Sequence, residues 1–214
     1  PKHVEQINEA VHELIADTSD YEDVTPPVAA RNDNDITSVE ENEEPPSLPD
    51  LPVLRDLPPE WGGKPVLCVA GRGPFDDAVA RMLIQLLEKH GLGGSVETNA
   101  AVSSSNIVRL NSAGVTMVCL SYLDLGSSPA HLRHSIKRIR RQITGAKLVV
   151  GLWGHGDVKN REQLQTTPAA DFYVSSLREA LSLCIDAVSG GGAKSLAPGG
   201  IEKEAPAFRP GLKV

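Results

Sequence analysis

No stretch of the 214 residues reaches the ~18 consecutive apolar positions of a membrane-spanning helix. No charged-then-apolar leader opens the chain either. Cysteines number three, Cys68, Cys119 and Cys184, widely spaced and without a C-x-x-C pair. That count and spacing exclude a disulfide scaffold and a cysteine zinc site, and point to buried, reduced thiols. Aromatic residues make up 4% of the chain and do not interleave with basic ones, so no nucleic-acid partner is expected. No G-K-[ST] follows a glycine loop, which excludes a Walker phosphate loop, and no G-x-S-x-G elbow offers a hydrolase nucleophile. Methionine occurs only at 82 and 117 and the first residue is Pro1, so the expectation is a piece of a longer polypeptide.

Charge is present but uneven. The formal net charge is −7. Residues 1–60 hold sixteen Asp and Glu against Lys2, Arg31 and Arg55, a local −13, which leaves +6 for the rest. An acidic arm is thus joined to a mildly basic domain. Residues 1–16 place Val4, Ile7, Val11, Leu14 and Ile15 at helical spacing, which predicts a short amphipathic helix. Residues 17–60 are rich in Pro, Asp, Glu, Asn and Ser and predict a disordered acidic linker, with Trp61 anchoring the entry to a domain over 61–189. Residues 190–214, rich in Gly and Pro, read as a flexible tail.

Within the domain the pattern alternates. Strands are predicted at Pro65–Ala70, Ser95–Thr98, Val115–Tyr122, Lys147–Trp153 and Asp171–Val174. Helices are predicted at Phe75–His90, Ser104–Asn111, Pro129–Ile143 and Ser175–Val188. Short continuous apolar strands alternating with amphipathic helices indicate a parallel sheet covered on both faces. Five such strands with right-handed crossovers give a doubly wound, flavodoxin-like α/β fold of order 2-1-3-4-5.

The first loop, Gly71-Arg72-Gly73-Pro74-Phe75-Asp76, has two glycines of a dinucleotide fingerprint, with Asp76 where the third should stand. Pro74 removes an amide, and Asp76 and Asp77 place negative charge in the first helical turn, where they satisfy the helix dipole themselves. A bound phosphate is therefore disfavoured, and any ligand role of this loop rests on Arg72. A phospho-acceptor receiver is excluded because the first strand ends in Ala70-Gly71 and the third in Ser121-Tyr122.

Ser121 and Tyr122 are expected at the carboxyl edge of the sheet, in the crevice at the topological switch point. Arg72, Ser121, Tyr122 and Trp153 form the candidate ligand-contact set. Asp124, Ser127, Ser128 and His131 lead into the next helix, with Ser128-Pro129 as N-cap and first helical residue. A Ser121–His131–Asp124 triad is conceivable but lacks an elbow. In "GLWGHGD", Trp153 caps the sheet or stacks on a flat ligand, and His155 and Asp157 are too few for a metal or catalytic site. The helix from Pro129 carries Arg133, Lys137, Arg138, Arg140 and Arg141 and no acid. It is either a solvated face or a patch for an anionic membrane surface or the chain's own acidic linker.

Residues 65–188 resemble the cobalamin-binding type of flavodoxin-like domain. "LSYLDLGSSPAHLRHSIKRIRRQ", "KLVVGLW" and "AADFYVSSLREALSLC" are similar to its S-x-L segment, V-G-G strand and closing strand and helix. That family's cobalt ligand is the His of a D-x-H-x-x-G motif in the first loop. Here the Asp, the His and the last Gly are all absent, so no cofactor and no metal are expected. "VLCVAGRGPFDDA", "LLEKHGLG" and "VCLSYLDLGSSPAHLRHSIKRIRRQ" also resemble the soluble tail that follows the membrane domain in some bacterial predicted permeases of the autoinducer-2 exporter family. This resemblance implies a non-catalytic regulatory domain of a transporter, on the cytoplasmic face of the bacterial inner membrane. Its partner would be its own membrane domain or the anionic bilayer surface. The alternative is a soluble small-molecule sensor that kept the fold without the cobalt-ligand histidine.

Overall fold

A computed structural model describes residues 2–19, 50–123, 129–153 and 170–190. Five strands, β1 (Val66–Ala70), β2 (Gly94–Glu97), β3 (Met117–Tyr122), β4 (Lys147–Leu152) and β5 (Phe172–Val174), pair in parallel in the order β2-β1-β3-β4-β5. This is the expected α/β topology. The central strands are buried end to end, which is why they read as unbroken apolar runs.

Strand alternation divides the core in two. Val66, Cys68, Ala70, Met117, Cys119 and Val149 face α2 (Asp76–Lys89) and a later helix, α4 (Leu177–Val188). Leu67, Val69, Val118, Leu120, Tyr122 and Val150 face α3 (Pro129–Gln142). Each helix contributes an apolar stripe at 3.6-residue spacing, such as Leu132, Ile136, Ile139 and Ile143 beside α3's polar side.

The predicted helix over Ser104–Asn111 is not formed. A single short 3-10 turn, Ile107–Arg109, stands there instead, preceded by another at Asn99–Val102. The Ser103 and Ser105 hydroxyls lie 3.2 Å apart, and the Asn106 side-chain amide donates to the Ala100 carbonyl. Such local bonds compete with the helical ladder. Val102, Ile107 and Leu110 are buried nonetheless.

The expected linker also ends earlier than Glu60. Its part over 20–49, and the tail from 191, lie outside the described residues. From Asp50 onward the chain lies along the domain. Leu51, Leu54 and Leu57, three residues apart, pack on the α2 side of the core, and Trp61 is buried there. The Leu54 amide donates to the His90 carbonyl at 2.8 Å, and His90 Nδ1 donates to the Pro52 carbonyl at 3.0 Å. The apolar spacing outweighs a composition that otherwise reads as unfolded.

Helix α1 (Lys2–Asp17) packs on α2. Ile15 is buried, but Val4, Ile7 and Leu14 are exposed, so the stripe seen in the sequence is only partly used. Polar contacts also join α1 to α2. His12 Nε2 lies 3.2 Å from Asp77 Oδ2, and Gln85 donates to the Thr18 hydroxyl. Among the described residues no helix is long and apolar enough to cross a membrane.

Candidate functional site at the sheet's switch point

The chain leaves β1 toward β2 on one side and returns to β3 on the other. The crevice between the carboxyl ends of β1 and β3 is therefore the place where this fold class binds ligands. The Gly71 amide donates to the Ser121 carbonyl at 2.8 Å, which extends the β1–β3 ladder into the loop.

Asp76, at the start of α2, fills the crevice floor. It is fully buried. Its Oδ2 accepts from the Gly73 amide at 2.7 Å and its Oδ1 from the Leu123 amide at 2.8 Å. One carboxylate thus joins the β1–α2 loop to the end of β3. The loop glycines exist to let it approach. A Cβ on Gly71 would fall on Asp76 Oδ2 and the Tyr122 ring, and one on Gly73 would sit 3.0 Å from both carboxylate oxygens. The loop does cradle an anion, and the anion is the protein's own. The expectation that Asp76 merely complements the helix dipole is corrected here. Its neighbour Asp77 meets Arg81 at 2.8 Å and His12.

Ser121 is also fully buried. Its hydroxyl donates to the Asp76 carbonyl at 3.4 Å and accepts from the Trp153 indole N–H at 2.9 Å. The indole folds back over Gly151, where a Cβ would lie inside the ring. Trp153 therefore caps the sheet end. Tyr122 is buried, with its phenol pushed up to about 12, first by burial and next by the Asp76 charge; Ser135 and Arg72 oppose the shift. A phenol so displaced is neither base nor nucleophile near neutral pH.

Arg72, by contrast, is exposed, and its Nη1 lies 3.3 Å from Nε2 of the exposed His131. Arginine only donates, so in this contact the His131 Nε2 is the acceptor. Of the four candidate contacts, the fold bonds Ser121 to Trp153, buries Tyr122 in the core on the α3 side and leaves Arg72 outside with His131. In the candidate triad, Ser121 is bonded to Asp76 and Trp153, and His131 to Arg72. Asp124, Ser127, Ser128, His155 and Asp157 lie outside the described residues.

The basic helix divides similarly. Arg138 donates to the Val102 carbonyl at 3.1 Å. Arg140 donates to the Ala146 carbonyl and, at 2.7 Å, to Asp171, whose other oxygen accepts from the Leu148 amide. These two arginines brace the fold. Arg133, Lys137 and Arg141 are exposed.

The first loop offers no imidazole, and its carboxylate is turned inward onto backbone amides. Sequence reasoning singled out Asp76 but missed that its carboxylate bridges the backbone amides of Gly73 and Leu123. Its signal was an acid replacing the third glycine of a G-x-G-x-x-G frame. No family model matches the chain, and no curated protein matches it.

Proposed function

We propose that this chain is a non-catalytic regulatory or interaction domain of a bacterial membrane transporter, held on the cytoplasmic face of the membrane. One observation carries the non-catalytic part: the polar groups of the switch-point crevice are spent on each other. Asp76 is held by two backbone amides, and Ser121 by Asp76 and Trp153. A catalytic crevice needs a nucleophile, a base and donors aimed at a substrate. The transporter part rests on the resemblance of the loop, helix and strand phrases to exporter-family tails. In membranes from cells expressing the whole gene, the domain is expected to stay in the pellet after an alkaline wash, anchored by spans elsewhere in the polypeptide. Release into the supernatant would overturn the transporter reading. Labelling of Ser121 by a fluorophosphonate would overturn the non-catalytic one.

A second reading, a soluble sensor of a small anion, has one observation in its favour: Arg72 and His131 meet, exposed, at the mouth of the same crevice. Titration with inorganic phosphate, followed through the His131 imidazole resonances, tests it. A saturable shift that Arg72→Ala abolishes supports a sensor, and an unmoved imidazole rejects a phosphate sensor.

A further inference from the structure

We infer that the α3 face of the domain docks on an anionic lipid bilayer through Arg133, Lys137 and Arg141. The inference rests on the membrane-attached reading above and gives it a surface.

The three cations recur every fourth residue, so they form one straight stripe about 12 Å long on the helix. All three are exposed, and among the described residues none of them enters an ion pair. No Asp or Glu occurs from Pro129 to Gln142, so nothing on the helix neutralises them. Beside α3, the turn Ile107–Arg109 packs through Ile107 into the same core cluster as Ile136 and Ile139. That turn leaves Arg109 exposed and Val108 71% exposed, more than any other large apolar residue among those described. The opposite face of the sheet carries the reverse sign: on α1, Glu5, Glu9 and Glu13 repeat at the same four-residue interval and are exposed. The domain is thus polarised across its sheet. A negatively charged plane would orient it with α3 inward and α1 outward.

An anionic bilayer suits this face better than nucleic acid does. A lipid surface takes both the cations and an aliphatic side chain such as Val108. A nucleic-acid site would use exposed aromatic rings for stacking, but among the described residues Tyr122 and Trp61 are buried and Phe75, Trp153, Phe172 and Tyr173 are half-buried.

The test is co-sedimentation of the whole 214-residue chain with vesicles of phosphatidylglycerol and phosphatidylcholine in equal parts, and with pure phosphatidylcholine. Pelleting is expected with the anionic vesicles only, and it should weaken as salt is raised. At ~1 kcal/mol per cation, each charge removed lowers partitioning about five-fold, and the triple change Arg133→Gln, Lys137→Gln, Arg141→Gln lowers it about a hundred-fold. The control Glu5→Gln, Glu9→Gln, Glu13→Gln on the far face should bind at least as well as the wild type. Circular dichroism confirms that both variants are folded. Failure to pellet at low salt overturns the inference and leaves the stripe to another acidic partner, such as the chain's own acidic arm. Undiminished binding by the triple variant overturns it too. Displacement from vesicles by polyuridylate at matched charge would make the face a general polyanion surface instead. Retention after an alkaline wash does not depend on α3, so the transporter reading can survive the loss of this one.

Discussion

The carboxylate of Asp76 accepts the Leu123 amide proton at 2.8 Å, across the gap between the first loop and the end of β3. The same carboxylate holds the Gly73 amide. Asp76→Ala would leave two half-buried amides without their acceptor, at a cost of about 2 kcal/mol. Asp76→Asn keeps one acceptor but turns an NH2 toward the other amide, so its loss should be about half as large. Urea denaturation checks both. An Ala variant as stable as the wild type would show that the carboxylate does not hold the crevice together.

Ser121 and Trp153 form a second link. Ser121→Ala strands the indole N–H and is expected to cost about 1–2 kcal/mol. It should also shift the emission of Trp153. The other tryptophan, Trp61, is buried against the α2 side of the core and serves as an internal reference. Gly151→Ala should move the ring outright, because its Cβ would occupy the indole plane. Unchanged emission in both variants would contradict the capping role.

Stability should fall in alkali, and the sign follows from the folded state. The Tyr122 phenol is raised from 10.0 to about 12, chiefly by burial, so folding favours its protonated form. Between those values the unfolded chain binds fewer protons than the folded one, and stability drops as pH rises. The full contribution is present below pH ~10, and about 2–3 kcal/mol is lost by pH ~12. The buried thiols of Cys68 and Cys184 are raised too, and act in the same direction from a lower pH. Tyr122→Phe should flatten the alkaline limb of a pH–stability curve. An identical limb in that variant would assign the loss elsewhere.

Cys68 and Cys119 face each other in register across β1 and β3, and Cys184 donates to the Met117 sulfur at 3.3 Å. The hydrogen bond to Cys119 and then burial push the Cys68 thiol up; burial does so for Cys184. Thiolate is the reactive form. A disulfide reagent should therefore label none of the three in the folded protein and all three in urea, with a rate that follows unfolding. Fast labelling in native buffer would mean that the core opens locally.

Helix α1 is held chiefly by Ile15 and the His12–Asp77 contact. Helices of this length are marginal alone in water. Its amides are expected to exchange far faster than those of β1 and β3, and Ile15→Asp should unwind α1 while leaving the urea midpoint of the sheet in place. A shifted midpoint would make α1 part of the cooperative unit.

The sequence carried the sheet because each central strand must be apolar on both sides. A run such as Val66–Ala70 has no other stable place than between two helical layers. Helices α2, α3 and α4 were legible from their stripes for the same reason. The segment over 104–111 misled because its apolar residues also fit a helix, and the choice fell to Ser103, Ser105 and Asn106, whose bonding depends on the folded surroundings. Leu51, Leu54 and Leu57 were hidden in acidic, proline-rich text, and their burial needs a groove built by residues far along the chain.

At the crevice the division is sharper. The sequence by itself determined which residues reach the sheet edge: Gly71 through Asp76 after β1, Ser121 and Tyr122 at the end of β3, Trp153 after β4. It also determined that the first loop holds no histidine, because that is a matter of residue identity. Only the tertiary structure decided how these side chains are spent. Whether Asp76 faces water, a ligand or a backbone amide depends on where Leu123 lies, 47 residues away. Whether Arg140 offers its charge to a partner or to Asp171 depends on the β4–β5 pairing. Helical and strand periodicity are local and can be read along the chain. Hydrogen-bond satisfaction among buried polar groups is set between distant segments, and exists only once the sheet has brought them together.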